Sequence, residues 1–186
     1  MSEHRFNLRS DLPAILGGAL TMAAFSTLGD WIWANYLRDG DPVAGVVHGL
    51  LIFIILAAAI AAAIGTRLAY RRLLPTMPCI GFLLAAVFYP LAYVTGYIAA
   101  LLVTWILMWL LTAALTRWAA ENDETLARAM QRGGAAALFS GLAFWAISGI
   151  WTQPSPGGPN YLWHFCAWTI AFLPGFVALL FGRKKI

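Results

Sequence analysis

Charge is what this chain has least of. Only 11% of its 186 residues are Asp, Glu, Lys or Arg, while 61% are hydrophobic. Ordinary soluble domains carry about 25% charged and about 45–50% apolar residues. So little polar surface cannot clothe a water-soluble globule of this length, and the chain reads as an integral membrane protein. Cysteine is almost missing as well: Cys79 and Cys166 are the two, and both lie inside apolar segments, which argues against a disulfide framework or a cysteine-built metal cluster. Phosphate-cradling glycine loops, a dinucleotide fingerprint, a Ser-His-Asp arrangement and lipidation signals are all missing, so no motif argues for an enzyme. The net charge of +4 is not gathered into a patch with groove-reading geometry, and no nucleic-acid partner is expected. In so apolar a chain a basic excess belongs to loops that set membrane orientation.

What is there is a series of long hydrophobic runs. About 20 apolar residues cross a ~30 Å hydrocarbon layer as a helix, and residues 12–36, 43–68, 133–152 and 160–181 meet that requirement. Between Leu73 and Thr116 lie 44 residues without one charge. As a single helix they would be ~66 Å long, about twice the bilayer core. They must fold back. The natural break is Tyr93-Val94-Thr95-Gly96-Tyr97, which gives spans at 78–95 and 97–118. The expectation is an all-α fold: one transmembrane domain over residues 1–186, built as a six-helix bundle. Arg5 and Arg9 precede the first run, and its apolar core is too long for a cleaved signal peptide, so a retained first span is expected.

Six spans make a parity prediction that the charges test. Arg5 and Arg9 precede span one, and Arg67, Arg71 and Arg72 fall between spans two and three. Arg117, Arg128 and Arg132 fall between four and five, and Arg183, Lys184 and Lys185 close the chain. Eleven of the twelve basic residues thus share one side, and only Arg38, beside Asp39 and Asp41, is on the other. Basic residues concentrate in cytoplasmic loops, so both termini are expected in the cytoplasm, in a bacterial-type inner (plasma) membrane. The Pro/Gly loop 154–159 then lies on the outer face. The stretch 117–132, with Glu124 four residues before Arg128, reads as a short polar helix on the cytoplasmic side. The small-residue run 57–65 permits close helix approach, within the chain or in a homodimer. Pro90 and Pro174 sit in the last helix of each three-span half, a hint of an inverted repeat.

Ionisable groups inside a membrane are costly and are functional candidates by default. Three fall in the spans: Asp30, His48 and His164. By topology all three sit in the outer half, with Asp30 ~10 Å below the outer end of its span. A carboxylate at that depth needs a partner or a proton, and a hydrogen bond to His48 or His164 would supply one. Tyr89 and Tyr93 of span three share this depth, as do Trp151 of span five and Trp168 of span six. An interfacial aromatic belt accounts for many such rings.

Four roles are open to this cluster. It can be a structural clamp, or a polar-aromatic cavity for a hydrophobic or lipid-like ligand, lined by Asp30, His48, Tyr89, Tyr93, Trp151, His164 and Trp168. A partner's transmembrane helix is the other occupant of such a cavity. His48 and His164 could also ligate a haem or, with Asp30, a divalent metal. Lastly, the same groups could shuttle protons in a small transporter. The leading expectation is non-enzymatic ligand binding without a cofactor, the 154–159 loop acting as a lid.

The segment Pro78-Cys79-Ile80-Gly81 leading to Phe88-Tyr89-Pro90, and Ile150-Trp151-Thr152 followed by the Pro/Gly loop and Tyr161-Leu162, carry a family resemblance. The end of span six at Gly182-Arg183 adds to it. In these features the chain resembles the Insig proteins, six-span regulators of sterol metabolism that have prokaryotic relatives. The Pro-Cys span is second in that family and third here. The resemblance implies a non-enzymatic scaffold with a central cavity for a sterol or diacylglycerol-like lipid.

Overall fold

The structure is a computed structural model that describes residues 8–36, 42–121, 123–151 and 160–180. Every regular element in it is a helix: α1 Leu8–Tyr36, α2 Pro42–Ile64, α3 Arg67–Thr95, α4 Tyr97–Ala120, α5 Leu126–Trp151 and α6 Tyr161–Leu180. Each packs antiparallel on its neighbour in the chain, and α6 returns to pack along α1, closing the six into a ring. Five of them, all but α5, are long and apolar enough to cross a membrane. The outer surface fits that setting. Leu83, Phe139 and Trp145 face outward at 59%, 55% and 77% exposure, an arrangement that water would penalise and lipid does not.

The turns follow from local chemistry. Gly65 takes φ +76°, donates its N–H to Ala61 O at 2.8 Å and ends α2. Thr66, extended, then caps α3 by accepting the Ala69 N–H on Oγ1 at 3.2 Å. Arg67 and Leu68 therefore belong to α3, not to the end of the second span. α3 also begins well before Pro78 and runs through Pro75 and Pro78. Proline removes backbone hydrogen bonds, and nearby side chains add bonds of their own: Thr76 Oγ1 donates to Arg72 O at 2.7 Å and Cys79 Sγ to Pro75 O at 3.4 Å. The long uncharged stretch breaks where expected. Gly96 at φ +90° separates α3 from α4, a conformation open to glycine and strained for L side chains.

The connection at 117–132 differs from expectation. It is no separate helix: α4 continues to Ala120, Glu121 terminates it in the left-handed region, and α5 starts at Leu126. Glu124 precedes α5, so it has no helical i,i+4 relation to Arg128. Its carboxylate pairs with Arg132 instead, and its carbonyl accepts from Arg117 Nε. Arg132 also donates to Leu179 O of α6 at 2.9 Å, tying α5 to the far end of its neighbour.

The ring is filled by apolar side chains, among them Met22, Leu56, Ile60, Leu73 and Phe176. At its widest it holds Trp109, fully buried, with ring centroids 6.2–6.4 Å from Trp105, Phe172 and Phe176. Glycine makes room for this cluster. A Cβ on Gly175 would lie 2.1 Å from the Trp109 ring, and one on Gly18 would lie 2.5 Å from Phe176.

Candidate functional site

The antiparallel ring brings the C-terminal ends of α1 and α3 and the N-terminal ends of α2 and α6 to the same end of the bundle. Asp30, His48, Tyr89, Tyr93 and His164 therefore sit at one end of the bundle, opposite Arg67, Arg71, Arg72, Arg117, Arg128 and Arg132. Within that end the residues part into three groups.

The first is a clamp between α1 and α6. Asp30 Oδ2 accepts from His164 Nδ1 at 3.0 Å and from Trp168 Nε1 at 2.8 Å. His164 and Trp168 are one helical turn apart, so both donors project from α6 toward the same carboxylate oxygen. The Asp30 and His164 side chains are 27% and 16% exposed. Toward the end of the bundle, Asn35 Nδ2 reaches Tyr161 Oη at 3.4 Å, continuing the antiparallel pairing of the two helices. Inward, the Trp168 indole stacks on Phe172 at 5.5 Å and 21° and meets Phe144 at 5.5 Å. Asp30 thus anchors an aromatic column that runs into the Trp109 cluster. Of the two histidines that could have partnered Asp30, His164 takes the bond. Trp168, read from the sequence as a belt or cavity residue, supplies the second.

The second group is His48 and Tyr89, each set on a glycine of the neighbouring helix. The His48 ring lies where a Cβ of Gly29 would be, 2.3 Å from both Cε1 and Nε2. Its Nε2 is buried and makes no hydrogen bond within the described residues. The Tyr89 hydroxyl occupies the corresponding space over Gly45, 1.4 Å from a would-be Cβ. Gly81 of α3 comes as close to α2, its would-be Cβ 2.8 Å from Phe53 and 3.0 Å from Gly49 O. α2 and α3 are thus in backbone-to-backbone contact of the kind small residues permit in lipid.

The third group has one described side chain, Tyr93, which joins no common cavity. Tyr93 points outward and is 94% exposed. Trp151 ends α5, and its side chain lies outside the described set, as does the whole 154–159 loop that was expected to form a lid.

A recess lies between α1 and α2, the thinnest of the six helix seams. It has a volume of about 170 Å³ and is walled by Phe25, Leu28 and Ile32 of α1 and by Ala44, Val47, Leu51 and Ile55 of α2, with Gly29 and His48 part-way along it. Of the residues expected to line a cavity whose side chains are described, His48 alone borders this groove. Sequence reasoning missed the α1 face 25–28–29–32. Its helical spacing was legible, but the side of the helix left partly uncovered depends on how the ring closes.

Among the described residues no three of His, Cys, Asp and Glu converge as a metal centre would need. With Asp30 bonded to His164 and His48 turned to Gly29, the three groups do not form the divalent-ion site that their shared depth suggested. Comparison with protein-family models, with curated proteins and with solved structures returns no match.

Proposed function

We propose that the chain is a six-span membrane protein with cytoplasmic termini that binds a lipid-like hydrophobic ligand, without catalysis, in the groove between α1 and α2. The observation that carries this reading is the groove itself: apolar walls at the least tightly closed seam of the ring, with one imidazole along it. Along α1 it extends from Phe25 to Ile32, about 10 Å at 1.5 Å per residue, room for part of an acyl chain or one edge of a fused ring. Concave, mostly apolar recesses with a single polar group are the usual form of such sites.

Two further points support the membrane setting. From Gly133 onward α5 carries no charge, and it lies between α4 and α6 along the ring, which supports reading it as the remaining span. The arginine-rich end is the cytoplasmic one by the distribution of basic residues. That puts the Ile32 and Ala44 end of the groove toward the outer side of the membrane. The Asp30–His164–Trp168 set then acts as the clamp that keeps the α1–α6 seam shut while the α1–α2 seam stays open to ligand.

The test is native mass spectrometry of protein purified in mild detergent, compared with Ala44→Trp, which places a large ring in the groove. The expected result is a lipid-sized adduct on the wild type that is lost in the variant while the melting temperature is kept. A wild type without an adduct, or an adduct indifferent to Ala44→Trp, overturns the reading. A partner's transmembrane helix is the rival occupant and would appear as a polypeptide mass.

A further inference from the structure

The six described arginines at the cytoplasmic end are not equivalent. Three close that end of the bundle. Arg72 donates to Trp118 O and pairs with Glu121 Oε1, each at 2.7 Å, while its guanidinium lies 5.0 Å above the Trp118 ring. Arg117 and Arg132 converge on Glu124. Arg67, Arg71 and Arg128 are exposed, and their guanidinium groups make no hydrogen bond or ion pair with the described residues.

Arg67 and Arg71 differ from Arg128 in standing together. They are four residues apart on α3, so their side chains lie one above the other on a single face. Like charges in that relation repel, and no acidic side chain within the described set relieves them. Tyr70 and Leu74, each 38% exposed, lie beside the pair, and the side of the helix that Arg71 occupies continues to exposed Phe82. A basic pair at the headgroup level thus opens directly onto a lipid-facing apolar surface.

We propose that Arg67 and Arg71, with Tyr70 between them, form a binding site for the headgroup of an anionic phospholipid at the cytoplasmic leaflet. The phosphate is shared by the two guanidiniums, which suit it by planar, multidentate donation. The acyl chains run down the helix past Leu74 and Phe82. A soluble phosphate ester would gain the charge but not this surface, which is why the lipid is the occupant. The site lies on α3 at the end opposite the α1–α2 groove and does not depend on that reading.

The experiment reconstitutes the full chain in bilayer discs of mixed phosphatidylglycerol and phosphatidylcholine and measures, by native mass spectrometry, which lipid stays bound. Attraction of a basic residue near an anionic surface corresponds to roughly fivefold in affinity. Arg67→Gln/Arg71→Gln should therefore lower the preference for phosphatidylglycerol by about twentyfold with an unchanged melting temperature. Arg67→Lys/Arg71→Lys keeps the charges and should retain most of the preference, which separates loss of the site from loss of fold. Arg128→Gln should have little effect. The proposal is overturned if the double Gln variant keeps the preference, if Arg128→Gln lowers it equally, or if millimolar inorganic phosphate displaces the lipid.

Discussion

Replacing Asp30 by Ala should be among the most destabilising single changes at the outer end of the bundle. The carboxylate accepts two bonds on one oxygen, at 3.0 Å from His164 Nδ1 and 2.8 Å from Trp168 Nε1. Hydrogen bonds to a charged group contribute about 1.5–3 kcal/mol each in water-soluble proteins, whereas interhelical bonds in membrane proteins average nearer 0.6 kcal/mol. Asp30 retains 27% exposure, so part of the cost of stranding the two N–H donors is recovered by solvation. A total of about 2–3 kcal/mol follows from these limits. Asp30→Asn should keep part of the clamp, because its amide oxygen can take the place of Oδ2 and accept both bonds, though without the charge. Trp168→Phe, which keeps the stacking on Phe172 but removes one donor, should cost about 1 kcal/mol. Asn35→Ala, whose contact with Tyr161 is exposed and 3.4 Å long, should cost under about 0.5 kcal/mol. Reversible unfolding in mixed detergent micelles measures these differences, and a double-mutant cycle between Asp30 and Trp168 isolates their coupling. If Asp30→Ala lies within about 0.5 kcal/mol of the wild type, or the cycle shows no coupling, the clamp is not holding α1 to α6.

Other substitutions probe the packing. Gly175→Ala puts a Cβ 2.1 Å from the fully buried Trp109 ring and 2.7 Å from Ser140 Oγ, so overpacking of about 1–3 kcal/mol is expected in the same unfolding assay. Gly17→Ala meets nothing within 4 Å and should be neutral or slightly stabilising. Gly29→Ala drives the His48 ring off its seat and should lower the melting temperature, and His48→Ala in the same chain should restore part of the loss. Arg132→Ala removes the Glu124 pair and the bond to Leu179 O, and should cost about 2–4 kcal/mol against almost nothing for Arg128→Ala.

The helix pairs that sequence could reveal were those decided by local rules. The hairpin at Gly96 followed from 44 uncharged residues that no single helix could place in one bilayer. That Asp30 had to find a partner followed from the cost of a carboxylate at depth. Which partner it found did not, because His48 and His164 share a depth and only the closure of α6 on α1 distinguishes them. The same closure turned Trp168 from a wall residue into a donor, and left Tyr93 outside the bundle. The third span was expected to start at Pro78, yet α3 runs through both Pro75 and Pro78, and the bonds that Thr76 and Cys79 make back along it are invisible to a rule about proline alone. The groove was hidden for a related reason: the apolar faces of α1 and α2 are obvious, and that they meet incompletely is a property of the whole ring.

Photo-crosslinking with a lipid that carries a diazirine in its acyl chain tests the ligand site most directly. Purified protein is irradiated in such bilayers and the labelled residues are mapped by mass spectrometry. The expected result is labelling concentrated on Leu28, Ile32, Val47 and Leu51, and suppressed by Ala44→Trp. Labelling spread evenly over the lipid-facing surface, with Leu138, Leu142 and Trp145 of α5 marked as strongly as the groove, would contradict a ligand seat between α1 and α2.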